Sequence, residues 1–298
     1  MQPQYTKIYE TIVGSVAYGL NIEGKSDRDV KGVAIPNIKH ILGLHPFEQH
    51  EITVDYVIYS LQKFVKLAAT ANPTILECLF TDESDILYLH PLGIKLRDNR
   101  DLFLSTKVKH SFSGYAYSQI LRLKNHHRWI NNPQVQPKQE DYYITKYRMV
   151  NNVSTPHTAF LENEYDAAYK KWVQYETWKK ERNPERAELE KQFLMDTKHA
   201  MHTIRLLKSG LELLRDGNLI VKRTKDREEL LGIRNGKMSY EDLIKYADDL
   251  MKQLDEAYDK SPLPREVDMN KIEDLLIDIQ SEFYGVKIWK QEIIWKSS

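Results

Sequence analysis

The chain has 298 residues, enough for one large domain or two smaller ones. Its 43 Lys and Arg balance 43 Asp and Glu, so a nucleic acid would be met by a local patch and not by net charge. The single cysteine, Cys78, excludes an internal disulfide and a cysteine-based zinc cluster, and no apolar run approaches the roughly 18 residues that cross a bilayer; with the polar start Met1-Gln2-Pro3-Gln4, this predicts a cytoplasmic protein without membrane attachment.

Residues 5 to 60 read as β-rich with short connectors. Ile8 to Val13 is strand-like and runs into Gly14-Ser15, where glycine lets the backbone approach a ligand and serine adds a hydroxyl. Ten residues on, Ser26-Asp27-Arg28-Asp29 leads into the β-branched run Val30 to Ile35, which Pro36 ends. Side chains at i and i+2 of a strand share a face, so Asp27 and Asp29 present both carboxylates to one side. Paired carboxylates suit a hard divalent ion that takes its other oxygens from phosphates and water, and such ions stabilise attacking and leaving oxygens in phosphoryl displacement. From His50 to Tyr59 the chain alternates, with Ile52, Val54, Tyr56 and Ile58 on one face and Glu51, Thr53 and Asp55 on the other. Aspartate is disfavoured in mid-strand. Asp55 is therefore either on an exposed strand face or a third carboxylate beside Asp27 and Asp29.

Leu61 to Thr70 reads as a helix, and Asn72-Pro73 caps and opens the next, which carries Glu77 in a structural role. Ile86 to Leu89 adds a strand, and a helix-like stretch from Leu92 to Asn99 closes an N-terminal unit near residue 105. The remainder is predicted to be helical: Val108 to Trp129, Tyr165 to Lys180, a long helix from Glu185 to Leu214, then Asp242 to Asp259 and Met269 to Tyr284, with a polar loop over Pro133 to Asp141. Lys198, His202 and Arg205 fall at i, i+4 and i+7, on one helix face with His199 beside it. That face is either solvated or a phosphate-binding surface. A second basic stretch, Arg122 to Arg128, has Tyr115, Tyr117 and Trp129 near it, an arrangement that either stacks on unpaired bases or borders a core. Arg122 and His127 also match the Arg-x₄-His spacing of HEPN-type ribonucleases.

Taken together, Gly14-Ser15, Ser26-Asp27-x-Asp29 and Asp55 resemble the signature of the polymerase-β-like nucleotidyltransferase superfamily. The closer resemblance is to its RNA-repair branch, the RNA-ligase-associated group. Gly14 to Leu20 is similar to that branch's Gly-Ser-x-x-Tyr-Gly-Leu, Ser26 to Val33 to its Ser-Asp-x-Asp-x-x-Gly-Val, Ser60 to Phe64 and Asn72 to Glu77 to two further segments, and Lys198 to Leu206 to its helical motif. Lys31 departs from the pattern, where arginine is common; lysine keeps the positive charge but cannot grip an anion with two parallel N–H groups.

The resemblance implies an α+β fold, with a polymerase-β-like core of mixed sheet and flanking helices (1–105) followed by a helical domain (106–298). It implies transfer of a nucleotidyl group from a nucleoside triphosphate, ATP among them, with Mg²⁺ or Mn²⁺ as cofactor. Asp27, Asp29 and Asp55 would be the catalytic and metal-binding residues. Gly14, Ser15, Ser26, Lys198, His202 and Arg205 would hold the nucleotide. An RNA 3′ end is the expected acceptor; a protein side chain, a small molecule or a non-catalytic nucleotide-binding role are the alternatives.

Overall fold

A computed structural model describes residues 5–22, 24, 27–151, 153–182 and 184–286. The first strand β1 (Tyr5–Val13) runs into a single helical turn, α1 (Gly14–Ala17), and the chain returns as β2 (Asp29–Pro36). After α2 (Lys39–Leu42) come β3 (Gln49–Thr53) and β4 (Tyr56–Ser60), then α3 (Leu61–Ala69), α4 (Pro73–Leu79), β5 (Ile86–Leu89) and α5 (Pro91–Asp98). The sheet order is β3-β4-β2-β1-β5. The β2–β4 pair is parallel and the other pairs are antiparallel, so the sheet is mixed.

The rest of the chain is helical apart from one ribbon. The long helix α6 (Val108–Asn131) precedes the antiparallel pair β6 (Tyr143–Val150) and β7 (Val153–Phe160). Then follow α7 (Glu162–Glu181), α8 (Pro184–Phe193), α9 (Thr197–Asp216), α10 (Arg227–Arg234), α11 (Tyr240–Lys260) and α12 (Met269–Tyr284). The fold is α+β, as the sequence predicts.

Local chemistry sets the boundaries near the cavity described below. Ser60 caps α3 by accepting from Lys63 N at 3.2 Å, and Asn72 caps α4 by accepting from Ile75 N at 3.2 Å, with Pro73 in the first turn. Asp196 caps α9 by accepting from His199 N at 2.9 Å, and Gly217 ends it in the left-handed conformation.

Three expectations are corrected. The alternating run His50 to Tyr59 is not one strand: it folds back at Val54-Asp55, so Asp55 lies in a turn and not in mid-strand. The long helix expected over Glu185 to Leu214 is two helices, because Leu194 takes a positive φ of 59° and Asp196 starts a new helix. After the predicted polar loop the chain forms the β6–β7 ribbon; every residue of β6 is exposed, so it carries no half-buried alternation to read.

One cluster of buried apolar side chains joins both halves of the chain, from Ile8 and Val33 in the sheet through Phe64 and Leu76 to Phe112, Ile204 and Ile279 in the later helices. Helix α12 packs on α3 and α5, and Tyr284 Oη donates to the Pro36 carbonyl at 2.5 Å.

Candidate active site

The β1–β2 register places Val13 opposite Asp29, so the bend after β1 lies directly beside the first residue of β2. Gly14 has φ +71°, and a Cβ there would run into the Asp29 carboxylate. Glycine is thus required twice over, by backbone conformation and by space. Gly14, Ser15, Asp27 and Asp29 all line a cavity of about 610 Å³. That size suits a small-molecule site. Helix α4 brings Asn72 and Glu77 to its wall, α6 brings Tyr115, Gln119 and Arg122, and α9 brings Lys198, His202 and Arg205. Ser26 lies outside the described residues.

Asp27 is exposed and Asp29 is half-buried. Burial first, and then the negative charge of Asp55, push the Asp29 carboxyl above the usual aspartate range; Lys31 opposes them, Asp27 adds to them and Lys198 opposes. Asp55 itself is not on the cavity wall. Its backbone carbonyl accepts from Val30 N at 2.8 Å, which fastens the β3–β4 turn to the start of β2 and sets Asp55 next to Asp29. Two of the three predicted carboxylates therefore face the cavity, and the third acts on Asp29 from the flanking turn. Among the described residues no three His, Cys, Asp or Glu side chains form a ready cage for a metal ion.

The predicted face of α9 does reach the cavity, but its members differ. Lys198 adds positive potential at Asp29. His202 is held well below the usual histidine range, by burial first and then by the cations of Arg205, Lys198, Arg234 and His199, so it stands neutral, edge-on to the Tyr18 ring. Arg205 is engaged elsewhere: its Nη1 meets Glu77 Oε1 at 2.6 Å, and its guanidinium lies 3.6 Å over the Tyr18 ring. Tyr18 Oη donates to Glu77 Oε2 at 2.6 Å. The solvated basic face considered for this segment is not what forms; Glu77 takes the structural role read for it.

Arg122 and His127 part company. Arg122 lines the cavity, whereas His127 stacks on Tyr240 at 3.6 Å between ring centroids. Five helical positions separate side chains by well over a right angle, so a ribonuclease-type pair is not assembled here. Tyr115 and Gln119 were missed as wall residues; their spacing of i, i+4, with Arg122 at i+7, is the signal that links them.

The pattern of the RNA repair pathway DNA polymerase beta family matches residues 2–278. The chain belongs to that family. No curated protein and no solved structure matches it. The family is one of polymerase-β-like nucleotidyltransferases in an RNA repair pathway. Among the described residues no helix is long and apolar enough to cross a membrane.

The donor set fits a divalent cation. Asp29, raised by burial first and then by the charge of Asp55, shares its cavity with Asp27. Magnesium is bound through one or two carboxylates plus phosphates and water, so a three-residue protein cage is not needed.

Proposed function

We propose that this chain is a Mg²⁺-dependent nucleotidyltransferase that moves a nucleoside monophosphate from a triphosphate to the 3′ hydroxyl of an RNA. The observation that carries the reading is the Asp29 carboxylate seated against the Gly14 bend on a cavity wall it shares with Asp27 and Lys198.

Asp27 and Asp29 would hold the cation together with the triphosphate. When bound, Mg²⁺ would offset phosphate charge and polarise the α-phosphorus. Ser15, on the same wall, offers a hydroxyl to the phosphates, and Lys198 faces them as a point charge. Neutral His202 can donate one ring N–H without adding charge. The acceptor oxygen forms a bond to the α-phosphorus while the bond to the β-phosphate oxygen breaks and pyrophosphate leaves. Asp55, beside Asp29 and open to solvent, would take the hydroxyl proton. Glu77, Arg205 and Tyr18 shape the wall and stay out of the chemistry.

The test supplies each of the four α-³²P-labelled triphosphates with total RNA and Mg²⁺ or Mn²⁺. Label should enter RNA, and Asp27→Asn or Asp29→Asn should reduce it by at least about 100-fold with the fold intact by circular dichroism. Label in a protein band, or full transfer by the double variant, would sink the reading.

A further inference from the structure

Net charge hides a strong local asymmetry. Residues 102–161 contain eight Lys and Arg but only two acids, Glu140 and Asp141, in a chain whose charges cancel overall. This segment is α6 and the β6–β7 ribbon. On the ribbon, the register places Lys146 opposite His157, and Arg148 points to the same face two residues on. The opposite face carries Tyr147 and Met149, which are 70% and 68% exposed.

From the foot of the ribbon a series of neighbouring rings leads away. Phe160 meets Tyr165 at 5.6 Å, Tyr165 meets Tyr169 at 5.9 Å, and Tyr169 meets Trp172 at 5.4 Å along α7. Further along the same helix, Trp178 walls a second cavity of about 370 Å³ whose lining is mixed in charge: Arg122, His126 and Arg182 stand with Glu181, Glu190 and Asp196, and Glu190 pairs with Arg182 at 3.2 Å and with His126 at 3.0 Å. Arg182 lies 4.6 Å from the Trp178 ring centre. Both cavities have Arg122 and His199 in their walls, so they adjoin.

We infer that the basic ribbon, the aromatic edge of α7 and the second cavity form one track for a single-stranded RNA acceptor, delivering its terminal nucleotides past Arg122 to the first cavity. The inference rests on the RNA-acceptor reading above. Single-strand recognition combines cations for the phosphates with rings that accept any base; here the ribbon and α6 supply the cations, and α7 supplies the rings. A duplex would be met by shape across a groove and has little use for a ladder of side-chain rings. An acidic protein would be served by the charge but gains nothing specific from the rings.

The test is binding, not transfer, so it does not depend on catalysis. A fluorescein-labelled dodecamer of single-stranded RNA is titrated with the full-length chain in the absence of triphosphate, and the same strand is offered as a duplex. Single-strand binding with quenching of tryptophan fluorescence is expected, because Trp172 and Trp178 lie on the track. The double variant K146E/R148E, made at exposed positions, should bind about 10- to 100-fold more weakly at low salt, with the gap closing as salt rises. Replacing Trp178 with Phe should keep binding and lose part of the quenching. Unchanged affinity in K146E/R148E, preference for the duplex, or capture of an acidic peptide in place of RNA would overturn the track. RNA binding without nucleotide transfer would instead overturn the proposed reaction and leave the track standing.

Discussion

At the scale of single residues, the site depends on how closely charges and backbone are crowded around Asp29. Gly14→Ala places a methyl group against the Asp29 carboxylate and forces alanine into a left-handed φ. The conformational penalty is about 1 kcal/mol, and the displaced carboxylate adds a loss of activity out of proportion to it. A fall in kcat/KM of more than tenfold with a modest drop in Tm is expected; equal activity would show that the close approach is not needed. Asp55→Asn tests the electrostatics. Because Asp29 titrates above the unfolded aspartate value, the folded state binds the proton more tightly, so this group favours folding at low pH and that contribution is lost as pH rises through its raised pKa. Removing the Asp55 charge relieves repulsion only while Asp29 is ionised. Asp55→Asn is therefore expected to raise stability at neutral pH, on the order of a few tenths of a kcal/mol after solvent screening, with the gain vanishing as pH falls through the Asp29 titration. Thermal melts from pH 3 to 8 check the sign. Asp27 and Asp29 were legible as a pair and both reach the cavity, but Asp27 does so from the connector before β2, so the shared strand face read for them does not form. The backward turn at Val54-Asp55 was not legible: it has no Asn-Gly or Asp-Gly marker, and Ile52 and Tyr56 continue the apolar alternation across it.

Between elements, the tie that matters is Glu77 on α4 to Arg205 on α9, with Tyr18 from the loop after α1 closing the set. Both charged side chains are about 5% exposed, so each is stable inside only with the other present. Glu77→Gln leaves the guanidinium buried without its counter-charge and should cost about 3–5 kcal/mol. The Glu77→Gln and Arg205→Met double variant should recover much of that stability, and urea unfolding of the four chains in a mutant cycle measures the coupling. A coupling near zero would mean the pair does not hold α4 to α9. Here local periodicity and tertiary packing separate. The spacing of Lys198, His202 and Arg205 gave their common face correctly, since 3.6-residue periodicity is local. That Arg205 would be claimed by a glutamate 128 residues away is a tertiary fact with no sequence signature. The break between α8 and α9 falls between the two cases: Asp196 is a recognisable cap, but the apolar Leu194-Met195 masks it as one continuous amphipathic run.

For the molecule as a whole, the sequence suggested a boundary near residue 105, where β-rich composition gives way to helix. Packing does not respect that line. Helix α12, at the far end of the described chain, lies on α3 and α5, and its Tyr284 reaches back to Pro36 at the end of β2. Helices α6 and α9 share the apolar cluster with α4 and β1. A fragment of residues 1–105 would expose the buried faces of Phe64, Leu76 and Leu96, each of which is 0–1% exposed in the full chain. Burial of a side chain of that size is worth about 1.5–3 kcal/mol, and a whole domain is stable by only about 5–15 kcal/mol, so uncovering several such side chains consumes the margin. The full chain is therefore expected to unfold in one cooperative transition, followed by fluorescence and circular dichroism at coincident midpoints, while the fragment 1–105 should show no cooperative melt. A sharp transition in the fragment would establish an independent catalytic unit. The cavity would then be assembled by docking of two folded bodies, and Lys198 would reach Asp29 only when they meet.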